Sequence, residues 1–115
     1  GMSPQRIRAI KDTGLEITDI KKLQGAFIHG VGADFINGFR KIGYDDMDLS
    51  DFTTARIHGV TPRFAASFEE VGFKDIPFKT LVKLRIHGVS ANFIKDRLKE
   101  GRDLNDYIKM KIHGL

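Results

Sequence analysis

The chain has 115 residues, 41% of them hydrophobic, which suffices for one modest core near the lower end of single-domain sizes. It contains no cysteine, so a disulfide framework and a thiolate zinc site are excluded and neither redox compartment is favoured. Nineteen Lys and Arg against 15 Asp and Glu give a formal charge of +4, but the signs are interspersed without a long basic block, so charge alone argues only weakly for an acidic partner.

The opening Gly1-Met2-Ser3-Pro4 reads as a tag-cleavage glycine before a chosen start, with no signal peptide behind it, and a longer parent protein is expected. The longest apolar runs fall far short of the ~20 residues needed to cross a bilayer. From there on one tetrapeptide organises everything. Ile-His-Gly followed by an aliphatic residue occurs as Ile28-His29-Gly30-Val31, Ile57-His58-Gly59-Val60, Ile86-His87-Gly88-Val89 and Ile112-His113-Gly114-Leu115, at spacings of 29, 29 and 26 residues. Such a period marks a tandem helical repeat, here with units 2–30, 31–59, 60–88 and 89–115 in one domain spanning 1–115.

In the first unit Ser3-Pro4 predicts a helix start, with Pro at the first helical position where its missing N–H is harmless. Gly14-Leu15 ends that helix and Asp19 caps the next, which stops at His29-Gly30. The second unit places Phe35, Ile36, Phe39 and Ile42 on one face of its first helix. Gly43-Tyr44 closes it, and Asp48 with Asp51 forms the cap and third position of the following helix. In the third unit Thr61-Pro62 starts a helix to about Val71 bearing Phe64, Ala65, Phe68 and Val71, and Gly72-Phe73 ends it. A helix from Pro77 carries Phe78, Leu81, Val82, Leu84 and Ile86; since Pro77 stands where Asp is expected, Asp75 is the substitute cap. The fourth unit starts its first helix at the cap Ser90, lacks three residues after Gly101 and repeats the acidic cap as Asp103 and Asp106.

The prediction is thus an all-α chain of about eight short helices, two per unit, stacked as a short solenoid-like array. The expected core is Phe35, Ile36, Phe39, Phe64, Phe68, Val71, Leu81 and Val82. The opening unit has Arg6, Ile7, Ile10 and Thr13, and the last has Phe93, Ile94, Arg97 and Glu100, at the matching first-helix positions. Polar replacements at both ends suit the water-facing caps of a nearly complete four-unit stack.

The pattern Ser/Thr-Pro-x-Phe, Gly-Phe/Tyr, then Leu-Val-x-Leu-Arg-Ile-His-Gly-Val resembles short helical repeats in the extracytoplasmic C-terminal regions of bacterial membrane metallopeptidases related to the beta-lactam sensor-transducer BlaR, and in other bacterial proteins of unknown function. The resemblance covers nearly the whole chain. It implies a sensing or interaction appendage in an extracytoplasmic setting. No His-Glu-x-x-His is present, so no zinc-protease role transfers to any residue.

The histidines His29, His58, His87 and His113 tempt a metal reading. Equivalent residues on neighbouring helices lie ~8–10 Å apart or more, whereas zinc needs donors at ~2.0–2.1 Å from one ion, so a shared metal is not expected. Each His, immediately before Gly30, Gly59, Gly88 or Gly114, reads instead as a helix end whose ring bonds the last free carbonyls or a neighbouring unit. Arg56, Arg85 and Lys111, with Lys83 and Lys109, complement helix dipoles and could align as a basic ridge, which Phe27 in the first unit interrupts.

Asp45, Asp46, Asp48 and Asp51 do not have calcium-loop spacing. Catalytic motifs are absent: no Gly-x-Ser-x-Gly, no phosphate-binding Gly-x-x-x-x-Gly-Lys and no non-repeating His/Asp/Ser set. No enzyme activity and no cofactor are expected. The functional expectation is a non-catalytic module binding a protein, peptide or other ligand. The alternative is nucleic-acid backbone binding through helix-hairpin-helix-like turns, with Gly30, Gly32, Thr61 and Arg63 as contacts, because helix N-termini attract phosphate. Only Gly30-Val31-Gly32 keeps both glycines of such a turn, and Ala33-Asp34 stand where bases usually follow.

Overall fold

The computed structural model describes residues 2–115, and every regular element among them is helical. In order they are α1 (Pro4–Asp12), α2 (Ile20–Ile28), α3 (Ala33–Lys41), α4 (Leu49–His58), α5 (Pro62–Ser67), a 3-10 turn (Phe68–Val71), α6 (Phe78–Ile86), α7 (Ala91–Lys95) and α8 (Leu104–Ile112). Contacts divide the chain into two compact units, Gly1–Pro62 and Arg63–Leu115.

The helix starts are built as capping chemistry predicts. The Ser3 and Ser90 hydroxyls accept from Arg6 N and Phe93 N at 3.2 and 3.0 Å. Asp19 accepts from Lys21 N at 2.8 Å. Asp48 with Asp51 and Asp103 with Asp106 form reciprocal capping boxes, each satisfying two otherwise free N–H groups. Asp75 does not substitute for the missing acid in front of α6. It adopts φ +52°, the left-handed region, and Pro77 precedes α6 without a side-chain cap.

In the first unit α1 packs on α3 and α2 on α4. Phe35, Phe39 and Phe52 meet edge to face, with centroids 5.2 Å apart for Phe35 and Phe39 and 5.9 Å for Phe39 and Phe52. Ile10, Leu23, Ala26, Ile36 and Ala55 close the core around them. Arg40 reaches from α3 to donate to the Thr13 carbonyl at the end of α1, which leaves its Nε buried without a hydrogen-bond partner.

The core of the second unit gathers Phe68, Leu81, Leu84, Ile94 and Tyr107, all fully buried. Phe73 packs edge-on against Tyr107 at 6.2 Å, and the Tyr107 hydroxyl accepts from Lys99 N at 3.3 Å. Two sequence expectations change here. Phe64 and Val82 are only half-buried. The helix expected over Pro62–Val71 is α-helical only to Ser67 and then tightens to a 3-10 turn. The Ser67 hydroxyl takes the Phe64 carbonyl at 2.6 Å, and such back-bonding competes with the α-ladder where the change occurs. In α7, which ends after five residues, the Arg97 guanidinium takes the Phe93 carbonyl at 3.1 Å in the same way.

Candidate functional site

The recurring tetrapeptide ends a helix in all four places. Gly30, Gly59, Gly88 and Gly114 adopt φ of +79°, +74°, +73° and +71°, where side chains with a Cβ are strained. The reversal is locked by a pair of backbone bonds. Gly30 N donates to Phe27 O at 3.1 Å and Val31 N to Ala26 O at 2.8 Å; the same pair recurs from Gly59 and Val60, Gly88 and Val89, and Gly114 and Leu115. Val31, Val60 and Val89 are buried, while Leu115 is 67% exposed.

These bonds correct the expected role of the histidines. Two of the carbonyls a ring was to satisfy at each end are taken by glycine and aliphatic N–H groups one and two residues on. His29, His58, His87 and His113 are all exposed, and no hydrogen bond of their rings occurs among the described residues. Nor do the described residues contain a group of three or more His, Asp or Glu able to hold a metal ion.

The feature that the sequence concealed is the isoleucine. Ile28, Ile57, Ile86 and Ile112 are 79%, 55%, 56% and 57% exposed. Ile28, Ile57 and Ile86 each fall two residues after a buried one, Ala26, Ala55 and Leu84, which turns them by about 200° to the opposite side of the helix.

The basic residues before the isoleucine have occupations of their own. The Arg56 guanidinium carbon lies 4.0 Å from the Phe35 centroid and that of Arg85 5.0 Å from Phe64; Lys111 Nζ lies 5.0 Å from Phe93. Each covers an aromatic ring on the preceding helix, a cation–π contact that also shields apolar surface. The expected gap at Phe27 is filled by exchange, since Arg6 lies over the Phe27 ring.

The residues of the nucleic-acid alternative divide between the compact units. Gly30 and Gly32 belong to the first, where Gly32 precedes α3 in extended conformation (φ −130°) with no side-chain cap and Asp34 occupies the first turn. Arg63 is exposed in the first turn of the six-residue α5, after the exposed Thr61. Charge is just as unevenly divided. Residues 1–62 hold eight Lys and Arg and eight Asp and Glu, whereas residues 63–115 hold eleven and seven, so the whole excess of +4 lies in the second unit.

The first unit also contains a recess of about 380 Å³ lined by Leu15, Thr18, Asp19, Lys22, Arg40 and Asp48 among others. Its charges are mixed and Asp48 is committed to its capping box, so nothing converges there on one ligand chemistry. No helix among the described residues is long and apolar enough to cross a membrane. Compared with protein families, curated proteins and solved structures, the chain finds no match in any of the three.

Proposed function

We propose that the chain is a non-catalytic interaction or sensing module of a larger bacterial protein, built as four tandem helix-pair repeats. The observation that carries this reading is the exposed isoleucine beside the same glycine-and-aliphatic pair of backbone bonds at the helix end in all four places. A helix end with two of its last carbonyls already satisfied strands fewer polar groups when a partner covers it. Recurrence of the left-handed glycine at Gly14, Gly43, Gly72 and Gly101, a second set 29 residues apart, supports the helix-pair repeat. The resemblance to extracytoplasmic appendages of membrane metallopeptidases favours a sensing setting.

The nucleic-acid reading has one observation in its favour, the uncapped amides where α3 starts after Gly32. Against it stand Asp34 in that first turn and the balanced charge of the first unit, since phosphate neutralisation supplies most of the affinity of backbone binding. Selection from a random displayed-peptide library on the intact chain tests the first reading, with amide-resonance mapping onto the Ile-His-Gly ends as the expected result. Steeply salt-dependent duplex binding that is lost with Arg63→Ala, and no peptide enrichment, would favour the second.

A further inference from the structure

Four tetrapeptide ends share one design, but they do not carry the same surroundings. On α6, Lys79, Lys83 and Ile86 are spaced i, i+4 and i+7, and all three are exposed on one face. On α8 the matching positions are Asn105, Lys109 and Ile112, again all exposed. The ends of the two helices are neighbours, because a Cβ on Gly88 after α6 would lie 3.5 Å from Lys111 Cε on α8. Neither helix carries an acidic residue except Asp106, which is held in the capping box at the start of α8. The first unit has the same isoleucines without the lysine one turn before them: Gly25 precedes Ile28 and Thr54 precedes Ile57, although Lys21 stands where α6 has Lys79.

We infer that the α6–α8 face of the second unit docks an acidic, amphipathic protein segment, with its aliphatic side chains on Ile86 and Ile112 and its carboxylates on Lys83 and Lys109. The inference rests on the interaction-module reading and names its partner. Charge complementarity selects the occupant: the protein's entire positive excess lies in this unit, and the lysines stand one helical turn from the exposed isoleucines. A partner helix lying along α6 and α8 meets aliphatic and cationic side chains at the i, i+3, i+4 rhythm of its own surface. A lipid surface fits less well, since the exposed large hydrophobic residues are all aliphatic and the chain has no Trp to seat at a bilayer interface. Nucleic acid fits less well still, because covering phosphates with this face would set them against two isoleucines.

The test is selection from a displayed-peptide library on the intact chain, followed by titration of the enriched peptides. Enriched sequences are expected to combine Asp or Glu with Leu, Ile or Val at helical spacing. The double variants Lys83→Glu/Lys109→Glu and Ile86→Ser/Ile112→Ser should each weaken binding by about tenfold or more, the scale of losing well-placed charge pairs or anchors. Lys83→Gln/Lys109→Gln, which introduces no repulsion, should act in the same direction to a smaller extent. Ile57→Ser, the matching change in the first unit, should leave binding within about twofold, because Ile57 has Thr54 and no lysine one turn before it. Enrichment of basic or neutral peptides, or equal loss with Ile57→Ser, overturns the assignment while leaving an interaction module in place. Enrichment of nothing removes the interaction reading itself. Tight binding to phosphatidylglycerol vesicles or duplex DNA without peptide binding overturns both.

Discussion

The guanidinium carbon of Arg6 lies 4.8 Å from the centroid of the Phe27 ring, and the two partners have exchanged places relative to the rest of the chain. Arg6 stands 29 residues before Phe35, and Phe27 stands 29 before Arg56, the residue that covers Phe35. The contact between first and second helix is therefore kept while its cation and its ring swap sides. The exchange puts the charge on α1, where the corresponding positions 35 and 64 hold phenylalanine.

This makes a prediction that needs both residues. Phe27→Arg alone sets two cations against each other, and Arg6→Phe alone leaves two rings without a cation; each should lower stability. The double exchange Arg6→Phe/Phe27→Arg restores the arrangement of Phe35 and Arg56. A double-mutant cycle by urea denaturation should show coupling of about 0.5–1 kcal/mol, the range for a solvent-exposed cation–π pair. Additive single effects would mean the contact is incidental.

The glycine ends separate backbone strain from crowding. A Cβ at Gly30 meets nothing within 4 Å, yet its φ is +79°, so substitution there is opposed by conformation alone. Gly30→Ala should lower stability by about 1–2 kcal/mol and Gly30→Asn by distinctly less, because Asn tolerates the left-handed region. Equal losses for Ala and Asn in thermal or urea melts would point to some cause other than φ.

Helix punctuation was legible in the sequence because few residues can perform it. Only glycine adopts positive φ without strain, and Asp48 with Asp51 has one plausible use at three-residue spacing ahead of an apolar run. The all-helical class followed from those marks. What resisted reading was orientation at the last turn. Ile86 and Leu84 are both aliphatic and two residues apart, yet Ile86 is 56% exposed and Leu84 fully buried. Apolar character does not report which side of a helix a neighbour occupies. The partial burial of Phe64 had no such mark, since Phe35, likewise followed 21 residues later by the arginine that covers it, is buried. The histidines misled because capping physics names the need for a donor and not which donor supplies it. Here backbone N–H groups take two of the carbonyls at each end.

Burial grades the aromatic residues of the second unit. Phe68 is fully buried in the 3-10 turn, and Phe64, 5.0 Å away between ring centroids, is half-buried beneath Arg85. Phe68→Ala should lower stability by about 3–5 kcal/mol. Phe64→Ala should lose less, because the cavity it leaves opens to solvent. Chemical denaturation of both variants checks the order, and a larger loss for Phe64 would place the centre of the core elsewhere.

The tightest approach of the first unit is between α3 and Pro62. A Cβ on Gly38 would lie 2.9 Å from Pro62 Cγ, closer than real Cβ contacts come, and the pyrrolidine ring has little freedom to retreat. Gly38 has an ordinary helical backbone within Ala33–Lys41, so alanine there should otherwise stabilise the helix by roughly 0.5–1 kcal/mol. Overpacking costs about 1–3 kcal/mol and should win, making Gly38→Ala net destabilising. Removing the obstructing ring atom reverses the balance. Gly38→Ala in the background of Pro62→Ala should be neutral or stabilising, a change of sign that differential scanning calorimetry of the four proteins would reveal. If Gly38→Ala proves stabilising with Pro62 in place, α3 and the start of α5 stand further apart than their packing requires.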